Sequence, residues 1–144
     1  MKCLIANFST YFEKLFLALA IGKMVTFAFV FAPKVFTVLD RVSASELQNA
    51  VFPNYYLIAL VASAFLFTKN LFQLKKKARF SKFKLAIASF YFVATLISYF
   101  YILPSLIELQ SQVIVDQDQF QFLHKSSVTL HAVSLLGLLI YLAF

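Results

Sequence analysis

The sequence predicts an all-α fold: an integral membrane four-helix up-down bundle with a short outer surface helix, in which residues 1–144 form a single domain. Four long apolar runs fill nearly all of the 144 residues, and one strong cluster of positive charge lies between the second and the third. Hydrophobic residues make up 62% of the chain and charged residues only 13%, whereas a soluble domain carries about 25% charged residues. The chain therefore has too little polar surface to coat a water-soluble globule.

The apolar runs cover residues 15–39, 55–72, 85–107 and 126–144, and each contains 18 residues or more. As helices they approach the roughly 20 residues that cross about 30 Å of hydrocarbon. Segments such as 57–62 do not alternate between polar and apolar residues, unlike the strands of transmembrane barrels. We therefore expect four membrane-spanning helices, spans 1 to 4.

Capping signals predict where these helices start, because a side-chain oxygen can accept a hydrogen bond from a free backbone N–H. Residues 10–13 have capping-box spacing and start span 1 near Tyr11. Residues 43–46 start the short outer helix, which Pro53 ends before span 2. Asp118 starts span 4 ahead of the membrane.

The charged residues predict the orientation. Six of the thirteen Lys and Arg residues lie between Lys75 and Lys84, and positive residues remain on the cytoplasmic side of a membrane. Both termini are then cytoplasmic, in what we expect to be a bacterial inner membrane. The cluster also suits contact with the bilayer's anionic headgroups, and nucleic acid is not an expected partner. The small bundle leaves room for a homo-oligomer or a partner protein in the membrane.

Lys23 is an intramembrane charge near the middle of span 1. A lysine at the bilayer centre costs about 2.5–3.5 kcal/mol on insertion scales. The favoured interpretation is that its stem extends past Gly22 and Ala20 so that the ammonium group reaches the cytoplasmic interface. The alternative is a cation that faces the bundle and binds an anion or a neighbouring helix.

The helix that contains span 4 carries a narrow polar stripe of His124, Ser127, His131 and Ser134 at positions i, i+3, i+7 and i+10. The stripe can hydrogen-bond to neighbouring helices. Alternatively, it lines an outer-facing polar pocket together with Lys34 at similar depth, where histidine can bind a metal or cofactor or relay protons.

The stripe does not predict a particular cofactor or reaction. Two histidines seven residues apart lie roughly 10 Å apart along a helix and are poorly placed to share one metal ion. The predicted spans contain no carboxylate, and no catalytic motif is present. An enzyme therefore has little support, no cofactor is expected, and the identity of any metal is open.

The segments 31–36, 51–56 and 122–127 resemble the transmembrane protein 205-like family, small four-helix membrane proteins whose bacterial members are largely domains of unknown function. The family implies no settled activity, but a eukaryotic relative is associated with resistance to platinum drugs, which suggests transport or trafficking. The function expected from this resemblance is transport or metal and drug tolerance. The family-pattern positions are Pro33, Phe36, Phe52, Pro53, Tyr55, His124 and Ser127.

Residues 33–36 are also similar to a signature of the four-helix haem-linked protoporphyrinogen oxidases, whose helix 1 supplies haem-ligating histidines. Helix 1 has no histidine here, which argues against haem. Three function classes remain: a membrane transport or tolerance protein, a non-catalytic scaffold or accessory subunit, and a haem- or quinone-linked oxidoreductase.

Overall fold

The structure, a computed structural model, describes residues 2–74, 81–111 and 116–144. Within those ranges the backbone forms four long helices and no strand. They are α1 (residues 2–38), α2 (Arg41–Leu74), α3 (residues 81–111) and α4 (Gln117–Leu142). Each is long and apolar enough to cross a membrane, over Ser9–Val35, Val42–Leu74, Lys82–Ser111 and Gln117–Leu142. The predicted all-α membrane fold with four spans is confirmed.

Two helices begin earlier than the capping signals predicted. Because α1 is already helical at Lys2, residues 10–13 lie inside it and do not form its cap. The cap of α4 is Asp116 rather than Asp118. Its Oδ1 accepts hydrogen bonds from the backbone N–H groups of Asp118 and Gln119, both at 3.1 Å. Asp116 and Asp118 are the same residue type, so the sequence alone does not show which of them is the cap.

The segment predicted as a separate surface helix is instead the beginning of α2. Asp40 starts α2, since its Oδ2 accepts from the backbone N–H groups of Val42 at 3.1 Å and Ser43 at 3.3 Å. The hydrogen bonds from Ser43 lower the pKa of Asp40. The prediction that Pro53 ends a helix is wrong, because α2 continues through it to Leu74. Membrane helices tolerate an internal proline where neighbouring turns satisfy the freed carbonyl.

Both α1 and α3 contain a wide π-helical turn just before a proline. In α1 the turn covers Phe27–Phe31 and precedes Pro33, and in α3 it covers Ser98–Ile102 and precedes Pro104. A proline ring collides with the carbonyl four residues earlier and donates no hydrogen bond. A wide turn accommodates both effects without ending the helix.

Small side chains allow the helices to approach one another closely. Ala20, Ala62 and Ala88, on three different helices, are completely or almost completely buried, as expected where membrane helices pack through small residues. Together with larger side chains they form the main core: Leu17, Ala20, Met24, Ala62, Leu66, Ala88, Tyr91, Leu138 and Tyr141. By contrast, Phe72, Phe100 and Phe122 are at least 60% exposed, which suits side chains that face lipid.

This packing predicts that enlarging Ala88 destabilises the bundle. Ala88 is fully buried in the main core, and we expect Ala88→Leu to lower the free energy of unfolding by about 1–3 kcal/mol through overpacking. Ala86, on the exposed side of the same helix, is the matched control, and its change to leucine should stay within about 0.5 kcal/mol. Unfolding in mixed detergent micelles measures both. Equal effects of the two variants would contradict this packing.

Candidate functional site

A cavity of about 420 Å³ lies between the four helices. It occupies the half of the bundle that ends at Asp40 and Asp116, here called the Asp40 end; the opposite end, at Leu74 and Leu142, is called the Leu74 end. The cavity, called the interhelical cavity below, is lined mostly by apolar and aromatic side chains together with a few polar ones: Met24, Phe27, Ala28, Phe29, Ala32, Gln48, Phe52, Tyr55, Tyr56, Leu103, Leu106, His124, Ser127, Val128, His131, Ala132 and Leu135.

An aromatic wall forms the side of the cavity contributed by α1 and α2. The Phe27 ring, in the π turn of α1, lies 4.9 Å from the Tyr55 ring and 5.2 Å from the Phe52 ring, centre to centre. The rings of Tyr55 and Tyr56 meet edge to face at 5.4 Å. Both geometries are favourable for aromatic pairs. The rings of the wall therefore pack against one another beside the cavity.

Polar groups from α2 and α4 meet at the cavity. The buried hydroxyl groups of Tyr56 and Ser127 form a hydrogen bond of 2.9 Å. His131 Nδ1 lies 2.9 Å from the Ser127 carbonyl oxygen; since a carbonyl only accepts, Nδ1 carries the proton. In the neutral ring Nε2 is then an acceptor. The His131 ring also packs against Tyr55 and Tyr56 at 5.8 and 5.2 Å, so its orientation is fixed.

The ammonium group of Lys23 is buried against the aromatic wall. Its Nζ lies 3.7 Å from the centre of the Tyr55 ring and has no hydrogen-bond partner among the described residues. The prediction that it reaches the interface is wrong, and Lys23 instead faces the bundle. A desolvated cation–π contact contributes about 2 kcal/mol, less than the roughly 2.5–3.5 kcal/mol cost of burying the charge. The contact with Tyr55 therefore offsets only part of that cost.

The structure brings together part of the residue set proposed from sequence. His124, Ser127 and His131 line the interhelical cavity, whereas Ser134 lines a small void of about 10 Å³ that shares His131 with it. Lys34 is exposed and does not line the cavity.

The family-pattern positions are similarly divided. Phe52 and Tyr55 line the cavity, Pro33 and Pro53 do not, and the Phe36 side chain lies outside the described part of the structure. Among the described residues, no three His, Cys, Asp or Glu side chains are grouped as metal ligands.

A family model with the description "Domain of unknown function (DUF4149)" matches residues 15–114. The chain belongs to this family. The match includes the aromatic wall and Lys23, while α4, with its polar stripe, lies beyond it. No curated protein and no solved structure was found to match the chain. The cavity of this DUF4149 protein therefore combines residues of the family region with residues of a fourth helix outside it.

A second polar cluster joins all four helices near the Leu74 end. The Glu13 carboxylate accepts from Lys69 Nζ and from the Tyr141 hydroxyl. Asn70 donates to the Tyr141 oxygen at 2.8 Å and to the Leu66 carbonyl at 2.7 Å. The Lys84 ammonium lies 4.7 Å from the centre of the Tyr141 ring. This cluster is called the Glu13 network below.

Sequence reasoning missed the Glu13 network. It treated Glu13 as part of a helix cap and placed no carboxylate inside a span, but Glu13 lies within the spanning segment Ser9–Val35. One signal was available: Tyr141 follows Ser134 by seven residues and so continues the polar stripe of α4. Tyr56 and Gln48 were also missed, because nothing local indicates that they face the cavity.

The Glu13 network predicts a large and specific loss of stability on removal of its carboxylate. The side chains of Lys69 and Glu13 are only 8% and 13% exposed. Removing one partner of a buried ion pair costs about 3–5 kcal/mol because it leaves the other charge unpaired. We expect Glu13→Gln to cost this much in unfolding free energy, and Glu13→Gln with Lys69→Met to cost less. Unfolding in detergent measures the double-mutant cycle.

The matched control is Glu46→Gln on the exposed surface of α2, which should change the unfolding free energy by less than about 0.5 kcal/mol. A Glu13→Gln effect as small as this, or a double variant as unstable as the sum of its parts, would show that the ion pair contributes little.

Proposed function

We propose that this DUF4149 protein binds a small, largely apolar organic molecule in the interhelical cavity and acts in the transport or tolerance of such compounds. The observation that carries the proposal is the cavity itself, of about 420 Å³ and with a mainly aromatic and aliphatic lining. Small-molecule sites are typically about 300–1,000 Å³, mostly apolar, with a few polar groups that orient the ligand.

The position of the polar groups supports binding rather than packing alone. His131 Nε2 remains an acceptor after Nδ1 has bonded to the Ser127 carbonyl. His124 is exposed at the cavity, stacked in parallel on Phe120 at 6.1 Å. An apolar molecule with one polar group could therefore pack against the aromatic wall and form a hydrogen bond through that group.

The Tyr56–Ser127 hydrogen bond favours a second candidate, a non-catalytic scaffold or accessory subunit. In that case the stripe of α4 only joins helices, because such bonds stabilise membrane bundles. The two candidates differ in one respect that can be measured: a scaffold has no need to hold a small molecule in the interhelical cavity.

A photoactivatable neutral alkyl diazirine tests the proposal on the full chain in lipid nanodiscs. We expect mass spectrometry to find label on Phe52, Tyr55 and His131, and 1-dodecanol to compete it away. Ala132→Phe fills the cavity from its lining and should reduce this labelling about tenfold. Ala86→Phe, on the exposed side of α3 away from the cavity, should leave it unchanged. Uniform labelling of lipid-facing residues, insensitive to both variants, would refute binding and favour the scaffold.

We also propose that the Leu74 end faces the cytoplasm of a bacterial cell, with the basic residues at that end toward anionic headgroups; residues 75–80 of the predicted Lys75–Lys84 cluster lie outside the described part of the structure. Lys82 and Lys84 begin α3 at that end, whereas exposed Asp40 and Asp116 lie at the other. Positive residues are retained on the cytoplasmic side.

Reporter fusions test this orientation. A reporter enzyme that is active only in the periplasm should be silent after Phe144 and active after Ser111. The reverse pattern would contradict the proposed topology.

A further inference from the structure

The buried charge of Lys23 has no counter-ion within the chain. The sequence has six acidic residues, and the structure describes all of them. Glu13 is engaged in the Glu13 network at the Leu74 end. The other five are exposed: Asp40, Glu46, Glu108, Asp116 and Asp118. No carboxylate of the chain therefore neutralises the Lys23 ammonium group.

Lys23 is next to residues that line the interhelical cavity, although it is not itself one of them. Its Nζ contacts the Tyr55 ring at 3.7 Å, and Tyr55 lines the cavity, as does Met24, the next residue along α1. The lysine side chain is a flexible stem with three hydrogen-bond donors.

The groups around the cavity wall add no negative charge. The neighbouring rings, Phe27, Phe52 and Tyr56, offer faces and edges to an apolar chain, and the exposed acids lie outside the lining. A cationic compound at this position would meet the Lys23 charge with nothing to offset the repulsion. An anionic head group would supply the hydrogen-bond acceptor and the counter-charge that the protein does not provide for Lys23.

We propose that the interhelical cavity selects alkyl-chain amphiphiles with an anionic head group, such as a long-chain carboxylate, and that Lys23 is the residue that binds the head group. This inference rests on the proposed function and names its ligand class. The aromatic wall holds the chain, and Lys23 leaves the Tyr55 ring to bind the head group. The same head-group chemistry is offered by a free carboxylate and by an anionic lipid of the bilayer.

Competition between matched probes tests the inference. The protein in nanodiscs of zwitterionic lipid is labelled with the neutral alkyl diazirine, and dodecanoate and 1-dodecanol compete for the site. We expect dodecanoate to compete about tenfold better, because hydrogen bonds to charged groups are the stronger ones. Lys23→Met should abolish this preference without weakening 1-dodecanol, and Lys23→Arg should retain it. Lys34→Met, which removes an exposed lysine of the same helix, is the matched control and should change neither.

Each outcome decides a different point. Equal competition by the two probes, or a preference that survives Lys23→Met, would overturn the anion selectivity while leaving the cavity as a binding site. Absence of competition by either probe would overturn the proposed function and this inference with it. If adding anionic phospholipid to the nanodisc displaces dodecanoate in a Lys23-dependent manner, the selectivity stands and the natural ligand is a membrane lipid.

Discussion

Inside the hydrocarbon of a bilayer there is no water to bond to, so every polar group must find its partner within the protein or in something that the protein binds. Two parts of this bundle meet that constraint differently. At the Leu74 end, Glu13 is paired with both Lys69 and Tyr141. Near the middle of α1, beside the cavity, Lys23 meets only an aromatic face. The Glu13 carboxylate is therefore paired within the bundle, whereas the Lys23 ammonium group has no hydrogen-bond partner among the described residues.

The cavity depends on how the helices are shaped as well as on their side chains. The π turn at Phe27–Phe31 places aromatic and small residues of α1 along the cavity, and the second π turn lies directly before the α3 residues Leu103 and Leu106 that complete the lining. Both turns precede a proline that a regular helix accommodates poorly. The first π turn thus contributes directly to the cavity lining, through Phe27, Ala28 and Phe29.

The sequence was a good guide wherever a property depends on local composition or on spacing within one helix. It predicted four spans from hydrophobicity alone and grouped His124, Ser127 and His131 from helical periodicity. It failed where the deciding partner is distant. Glu13 has the local pattern of a helix cap, and its partner Lys69 lies 56 residues away. Lys23 was assigned to the interface because the sequence does not show that it contacts the ring of Tyr55 on the neighbouring helix. Pro53 looks like the end of a helix because helix propensity depends on the local sequence and does not include packing against the surrounding bundle.

The Glu13 network also bears on how the chain assembles. Helices enter a membrane individually before they pack, and Glu13 belongs to the first helix, Lys69 to the second and Tyr141, 128 residues after Glu13, to the last. Until the second helix arrives, the carboxylate of the first lacks its main partner, and until the fourth arrives Asn70 and Glu13 lack the hydroxyl that links them. The network is therefore complete only when the whole chain has been made, and an unfinished or wrongly threaded bundle would present these unpaired polar groups to the lipid.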